Sequence, residues 1–546
     1  MMNSFRGPKM RKRNSSRRSF LKSAAVAAAA SLESLSPGAA APGPPSGECG
    51  SVWERPPKQK GNNLNLIVLV SDTFRRDNLA CYGNKWLDHL ETPNLDRFAK
   101  DCVAFEDFYP EGMPTIVIRR NLYTGRRTIP CYYFRQPEPV QLPGWHPLYN
   151  EDVTLSETLL EADYITALIG DLPHLQRPGR NFHRGFSVYQ WVRGQEVDSY
   201  GTSPHKLLDV SDIVPDAYLA EFSPLHSFLS QYKANRNLWM QEGESLAQIV
   251  AQTAIRWLKD NFDQRPFYLH VEMFDPHEPW DPPRRFLEKY MPNASGPSYI
   301  EPPYATVPLS DEIKQRLRAN YAGEVNCVDY WLGELLDMIK ELGLFENSVV
   351  VFLADHGALL GEHGQFLKGP DKLRGQVTHI PLLIRMPNQQ AIAKRVSGFV
   401  QMTDVMPTLL HLLGLEPPSR VTGKNSWPLV TGGTQSLHEY VVQTYGWVGA
   451  VRTREWNYSE IWKPEAHQEQ FRIHPGAPLT AYKPQLYNLE KDPEELREVA
   501  DQYPDVVRMM SGKLKEYIAA GNGLTCGSFN EKASLSMGEV YVKEAR

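Results

Sequence analysis

Thr115 stands one helical turn before Arg119 and Arg120 in the stretch Gly112–Arg126, GMPTIVIRRNLYTGR. The spacing predicts a helix that opens at the hydroxyl and stops at Thr124-Gly125-Arg126. Such a helix start aims free N–H groups and the positive end of its dipole at whatever occupies the site. Guanidinium groups one turn in add charge-assisted hydrogen bonds, and the combination suits a tetrahedral oxyanion such as phosphate or sulfate. Taken alone, the same residues read as an N-cap at Thr115 followed by two surface arginines.

Acidic and imidazole groups recur where apolar runs end. Leu64–Val70 (LNLIVLV) runs into Ser71-Asp72-Thr73, and Val349–Ala354 into Asp355-His356-Gly357. In open parallel sheets ligands collect at the carboxyl ends of strands, so Asp72, Asp355 and His356 are placed for chemistry. A carboxylate beside an imidazole is a donor pair for a hard or borderline metal ion. Pro266–Phe274 (PFYLHVEMF) runs into Asp275-Pro276-His277-Glu278-Pro279, where two prolines fix the presentation of His277. His174 follows the run Tyr164–Gly170, and Lys368 lies in a Gly-rich loop. Each also has a plainer reading as a turn aspartate or a structural histidine. Their recurrence at strand ends argues for a site.

Apolar runs alternating with helical stretches predict an α/β fold, a mainly parallel sheet sandwiched by helices. A further strand is expected at His379–Met386. Helices are expected at Thr92–Phe98 with Thr92 as cap, at Ser245–Phe262, at Leu317–Leu342 and at Asp404–Leu415. Tyr200–Trp239 mixes Pro, Ser and aromatics and reads as an irregular insertion over the site. After about residue 435 short strands at Tyr440–Tyr445, Gly449–Arg454 and Gln485–Leu489, with a helix at Asp505–Ala519, predict a smaller C-terminal α+β subdomain. The expected organisation is a leader at 1–41, a linker at 42–62, a catalytic domain at 63–434, and a C-terminal subdomain and tail at 435–546.

The chain has 546 residues and a formal net charge of -5, with no long basic run beyond the leader. That balance argues against nucleic acid as a partner. No apolar stretch reaches the roughly 18–20 residues needed to span a bilayer. Arg11, Lys12 and Arg13 precede Ser16-Arg17-Arg18-Ser19-Phe20-Leu21-Lys22, then Ala24–Ala30 and Ala39-Ala40-Ala41. This is the order of basic region, apolar region and small-residue cleavage site. The paired arginines resemble a bacterial twin-arginine export signal. They predict passage through that export machinery and a periplasmic or extracytoplasmic mature protein that begins near Ala41. The six cysteines form no CxxC pair, which argues against a structural zinc site and leaves disulfide pairing open.

From about Asn63 to Asp501 the chain resembles the sulfatase family of the alkaline phosphatase superfamily. The resemblance is carried, in order, by LIVLVSDTFRRD, ETPNLDRFAKDCVAFEDFY, LYTGR, FYLHVEMFDPHEPWDPP, VVVFLADHGALLGEHG and LYNLEKDPEE. It implies an alkaline-phosphatase-like fold and one divalent metal ion, calcium first, with magnesium, manganese or zinc as alternatives. Asp72, Asp355 and His356 match the metal ligands, and the nucleophile at Thr115 would complete the set. Arg119 matches the arginine of the nucleophile motif. His277 and Lys368 match residues that hold the ester's anionic group or assist the leaving group. His174 matches a histidine that follows Gly-Lys in the family, with Asp171 in that lysine's place, and Thr73 replaces the second of a pair of aspartates. A second metal would have His363 and His379 as spare ligands.

Thr115 stands where the family carries the Cys or Ser that is oxidised to formylglycine, and Val117 stands where its motif has proline. Oxidising a threonine gives a ketone, so formylglycine chemistry is excluded. Phosphate-transferring relatives use an unmodified, metal-activated Thr or Ser. The reading is a metal-dependent hydrolase of a sulfate, phosphate or phosphonate ester of a small molecule or carbohydrate, with Thr115 as nucleophile. The alternatives are a transferase that passes a phosphoryl-type group through Thr115 and a catalytically silent binding protein.

Overall fold

The computed structural model describes residues 55–528, apart from 84–85, 88, 132–141, 178, 197, 202–205, 215–222, 265, 305–307, 390–393, 463–471, 475–476 and 479–480. The expected leader at 1–41 lies outside the described residues.

The central sheet is built from β1 (Asn65–Ser71), β2 (Val103–Tyr109), β3 (Ile165–Gly170), β4 (Val188–Trp191), β5 (Phe267–Met273), β6 (Ser348–Ala354), β7 (Leu382–Arg385) and β8 (Lys394–Gln401). The eight strands lie in the order β8-β2-β7-β6-β1-β5-β3-β4. All pair in parallel except β7, which runs antiparallel to both neighbours. In β1, Leu66, Val68 and Val70 enter one apolar core, and Ile67 and Leu69 the other. Burial on both faces is why such a strand reads as a continuous apolar run. Helix Thr115–Thr124 covers the first face through Ile116, Ile118 and Leu122. Helices Leu246–Asn261 and Asp311–Glu341 cover the second through Val250, Ala254, Val325 and Leu332.

Register decides which loop residues become neighbours. Ser71 pairs with Met273 on one side and with Ala354 on the other. The next residues, Asp72, Phe274 and Asp355, therefore leave the sheet side by side at its carboxyl edge.

A second sheet contains the antiparallel strands Val441–Tyr445, Val448–Arg452, Trp456–Ile461 and Gln485–Asn488, on which helix Pro504–Ala520 packs through Met510 and Leu514. Gly112–Met113 adds to its edge, parallel to Val441–Tyr445. The chain reaches Thr115 directly from that strand, so the second sheet anchors the entry to the helix.

Three local expectations differ from the structure. Thr92 precedes helix Pro93–Ala99, but its hydroxyl gives no cap and donates instead to the Asn78 carbonyl. Within the stretch expected to be irregular, Ser223–Trp239 is a helix of 17 residues. Its inward positions include Ser230, Gln231 and Asn235, all fully buried, so apolar periodicity could not reveal it. The strand expected from His379 begins only at Leu382.

Candidate active site

Helix Thr115–Thr124 is buried along its whole length. Its N-cap is Pro114, and Thr115 is its first residue with 2% exposure, so Thr115 is not the cap that its residue type suggested. Gly125 ends the helix at φ 60, a left-handed conformation that suits glycine. Residues four apart share a helical face, which puts Thr115 and Arg119 on one face with Thr115 nearer the N-terminus.

Arg119 is fully buried and surrounded by three carboxylates. Nη2 lies 3.2 Å from Asp72 Oδ2 and also bonds Glu272 Oε1, Nη1 lies 2.8 Å from Asp355 Oδ2, and Nε donates to Glu272 Oε1 at 2.9 Å. Nη1 makes no aligned hydrogen bond and stands in ion-pair contact with Asp355. Arg120, on the other side of the helix, bonds the His146 and Pro147 carbonyls and pairs with Asp152. It is a structural arginine, away from the strand-end cluster.

Asp72, Asp355 and His356 form a group whose ligand atoms lie within 4.8 Å of one another, and all three residues are fully buried. His356 Nδ1 lies 3.0 Å from the Gly357 carbonyl, which fixes the donor on that nitrogen and leaves a lone pair on Nε2. Nε2 then faces Asp72 Oδ1 at 3.8 Å and Asp355 Oδ2 at 3.6 Å. Neither His356 Nε2 nor Asp355 Oδ2 has a hydrogen-bond partner. Three lone-pair donors converging with nothing between them fit a divalent cation, hard or borderline by the oxygen-rich set. Burial and the charge of Asp355 push Asp72 well above the usual carboxylate range. Burial opposes ionisation of Asp355 too, but His356 and Arg119 outweigh it and hold that carboxyl low.

Neighbouring residues brace this group. Thr73 gives its amide to Asp355 Oδ1 at 3.0 Å and its hydroxyl to Asp72 Oδ1 at 2.8 Å. It does so at φ 57, a left-handed conformation costly for a β-branched residue. Gly357 is required for space, since a Cβ there would lie 2.2 Å from the Gln376 carbonyl oxygen.

His277, Lys368 and His174 occupy the next part of the site. Lys368 Nζ lies 2.8 Å from His277 Nε2 and 2.9 Å from Glu278 Oε1, and Tyr304 donates to the same carboxylate. His277 Nδ1 meets the Glu278 carbonyl at 2.6 Å, and its ring stacks on Phe274 at 4.0 Å. Burial, then Lys368, hold its pKa well below the ordinary value, so the imidazole is neutral. His174 Nε2 pairs with Glu196 Oε2 at 2.8 Å. Asp171 is spent at the strand end, where it accepts the Phe274 amide at 2.8 Å.

The two histidines considered for a second metal are not brought in. His379 Nε2 meets the Glu106 carbonyl at 2.5 Å and its ring stacks on Tyr109. His363 lies beside Tyr487, and neither histidine joins a metal-ligand group among the described residues. Sequence reasoning missed Glu272, Glu278, Glu196 and Glu301. For Glu272 a signal existed: His270 and Glu272 sit two apart in an otherwise apolar strand, so they share one buried face. His270 Nε2 indeed lies 2.9 Å from Glu272 Oε2, and Tyr268 OH lies 2.9 Å from His270 Nδ1.

Comparison with known proteins gives the same outline. The family model described as Sulfatase matches residues 64–415, and the one described as N-sulphoglucosamine sulphohydrolase, C-terminal, matches 361–520. An arylsulfatase of Clostridium perfringens is 22% identical over 85% of this chain and 96% of its own length. An N-acetylgalactosamine-6-O-sulfatase of Bacteroides thetaiotaomicron is 25% identical over 86% of this chain and 95% of its own. The crystal structure of a phosphonate monoester hydrolase of Agrobacterium radiobacter superposes with a TM-score of 0.61 at 20% identity, covering 84% of this chain and 96% of that one.

Proposed function

The chain belongs to the sulfatase family, and we propose that it hydrolyses a sulfate, phosphate or phosphonate ester with Thr115 as nucleophile and one divalent cation at Asp72, Asp355 and His356. Family membership makes it a hydrolase of sulfuric or phosphoric esters. The observation that carries the finer reading is the convergence of His356 Nε2 and Asp355 Oδ2, both without hydrogen-bond partners, beside Arg119.

A divalent cation bound there supplies charge that offsets the ester and lowers the cost of ionising a nearby hydroxyl. Thr115 supplies the attacking oxygen: its Oγ forms the new bond to sulfur or phosphorus while the bond to the ester's bridging oxygen breaks. The helix N-terminus and Arg119 Nη1 hold the non-bridging oxygens as charge builds on them. Neutral His277 anchors Lys368, whose ammonium steadies the departing oxygen. Water then cleaves the ester on Thr115, restores the hydroxyl and releases the oxyanion.

A carbohydrate ester is the favoured substrate, supported by the relative named for a sugar sulfate. Export through the twin-arginine route is supported by the leader sequence. No helix among the described residues is long and apolar enough to cross a membrane.

The test is turnover of an aryl sulfate, a phosphodiester and a phosphonate ester by purified protein, with calcium, magnesium, manganese or zinc and with chelator. Turnover of one class that chelation abolishes supports the reading. No turnover with any of the metals overturns it.

A further inference from the structure

Lys372 is a buried ammonium that the reaction above does not use. Its exposure is 2%, and it follows Lys368 in the same Gly-rich loop. Nζ donates to the Phe366 carbonyl at 2.7 Å and to the Tyr304 carbonyl at 2.9 Å. Both acceptors are neutral main-chain oxygens. Burial pulls the Lys372 pKa down to about 8, although the charge of Asp371 pulls the other way. A charge kept in such surroundings costs stability, and its two bonds show where it is used.

The two carbonyls belong to the two segments that meet at Lys368. Phe366 and Leu367 pair with Leu360 and Leu359 in a short antiparallel hairpin. The Phe366 carbonyl is part of the peptide that enters Leu367, and Leu367 holds φ 63, a left-handed conformation unfavourable for leucine. Such a conformation persists only where neighbouring contacts over-determine it. Lys368 follows directly, with Nζ 2.8 Å from His277 Nε2 and 2.9 Å from Glu278 Oε1. From the other segment, Tyr304 gives its hydroxyl to the same Glu278 carboxylate. The contacts therefore close a ring. It runs from Lys372 to Phe366, along the chain to Lys368, through Glu278 to Tyr304, and back to Lys372 by the Tyr304 carbonyl.

We propose that Lys372 is a positioning residue, which clamps the Lys368 hairpin to the Tyr304 segment and so sets where the Lys368 ammonium meets the departing oxygen. The proposal rests on the ester-hydrolase reading, in which Lys368 steadies that oxygen. A residue that only stabilised the hairpin would affect every ester alike. One that places Lys368 matters most where the departing oxygen is a strong base, because that oxygen carries more charge to be steadied. Misplacing a reacting group by about 1 Å costs on the order of 100-fold.

The experiment compares the para-nitrophenyl and phenyl esters of whichever oxyanion is turned over. The proteins are the metal-loaded wild type, Lys372→Met, Lys368→Ala and the double variant. Lys372→Met should lower kcat/KM for the phenyl ester by roughly 10- to 100-fold, and for the nitrophenyl ester by less than about threefold. Once Lys368 is alanine, the same substitution should leave the ratio between the two esters unchanged. Equal loss on both esters, or the same selective loss without Lys368, overturns the clamp. Should Lys372→Met fail to fold, Lys372→Gln keeps a donor for a carbonyl and should show the same selectivity in smaller measure. Should no ester be hydrolysed, the hydrolase reading fails, and crystal structures of wild type and variant decide the clamp separately. A Lys368 Nζ moved out of hydrogen-bonding reach of His277 Nε2 in the variant upholds it, and an unchanged contact overturns it.

Discussion

Glu272 and Arg119 form a buried ion pair at 2.9 Å between Oε1 and Nε, with no exposure on either side chain. Glu272 reaches Arg119 from inside a strand, backed in turn by His270 and Tyr268 on the same face. Arg119 is thereby held by a rigid element. Glu272→Gln preserves length and one acceptor but removes the charge. Turnover should fall by roughly 10- to 100-fold, the worth of about 1.5–3 kcal/mol for a hydrogen bond to a charged group. Steady-state kinetics with thermal melting checks this. Unchanged kcat would mean that Asp72 and Asp355 hold Arg119 unaided.

Asp355→Asn should remove bound metal and activity together. Asp355 Oδ2 is shared between Arg119 and the open space before His356 Nε2, so neutralising it weakens both. Metal content by mass spectrometry, measured beside activity, tests the linkage. Full activity with normal metal content would place the cation elsewhere.

Thr115→Ala should lose activity by several orders of magnitude in a folded protein, since the proposed attacking oxygen is gone. Thr115→Ser should retain part of it because the hydroxyl survives. Rapid quench with a slow substrate should reveal a mass increment on the peptide carrying Thr115. Near-normal turnover by Thr115→Ala would reduce Thr115 to the first residue of a helix.

His379 offers a pH test away from the site. Burial, with Arg76 and Arg452 nearby, holds its pKa well below the ordinary value in the folded protein. The unfolded chain binds the proton near pH 6.5, so the stability contributed by neutral His379 is present above that pH and declines as pH falls below it. A glutamine can keep the bond to the Glu106 carbonyl and does not titrate. The stability difference between wild type and His379→Gln should therefore shift by about 1 kcal/mol against wild type from pH 7.5 to 5.5. Urea unfolding at the two pH values measures it. A constant difference would mean that His379 titrates alike folded and unfolded.

Replacing Arg17 and Arg18 by lysine should leave the precursor in the cytoplasm of an expressing bacterium. Fractionation decides, and undiminished periplasmic recovery would show the pair to be incidental.

Much of the framework was legible because it rests on local patterns. Strands buried on both faces announce themselves as apolar runs, and Asp72, Asp355 and His356 stand where those runs end. What the runs do not contain is register, and register makes Asp72 and Asp355 neighbours. The glutamates escaped for another reason. Glu196, Glu278 and Glu301 lie in loops where acidic residues ordinarily face water, and only tertiary packing buries Glu278 and Glu301 and half-buries Glu196. Helix Ser223–Trp239 escaped because polar residues line its inward side.

The parallel register around β1 also governs when the site can exist during synthesis. β1 pairs only with β5 and β6, so it emerges from the ribosome with no strand to join. Its first partner arrives with residues 267–273 and its second with residues 348–354. A nascent chain that ends within the helix Asp311–Glu341 carries Asp72 but neither Asp355 nor His356. Such a chain exposes an apolar strand edge to other chains and to chaperones, and it lacks two of the three proposed cation ligands. At the proposed cation site, ion capture would therefore be a late event in the life of the polypeptide, following translation of nearly two thirds of its length.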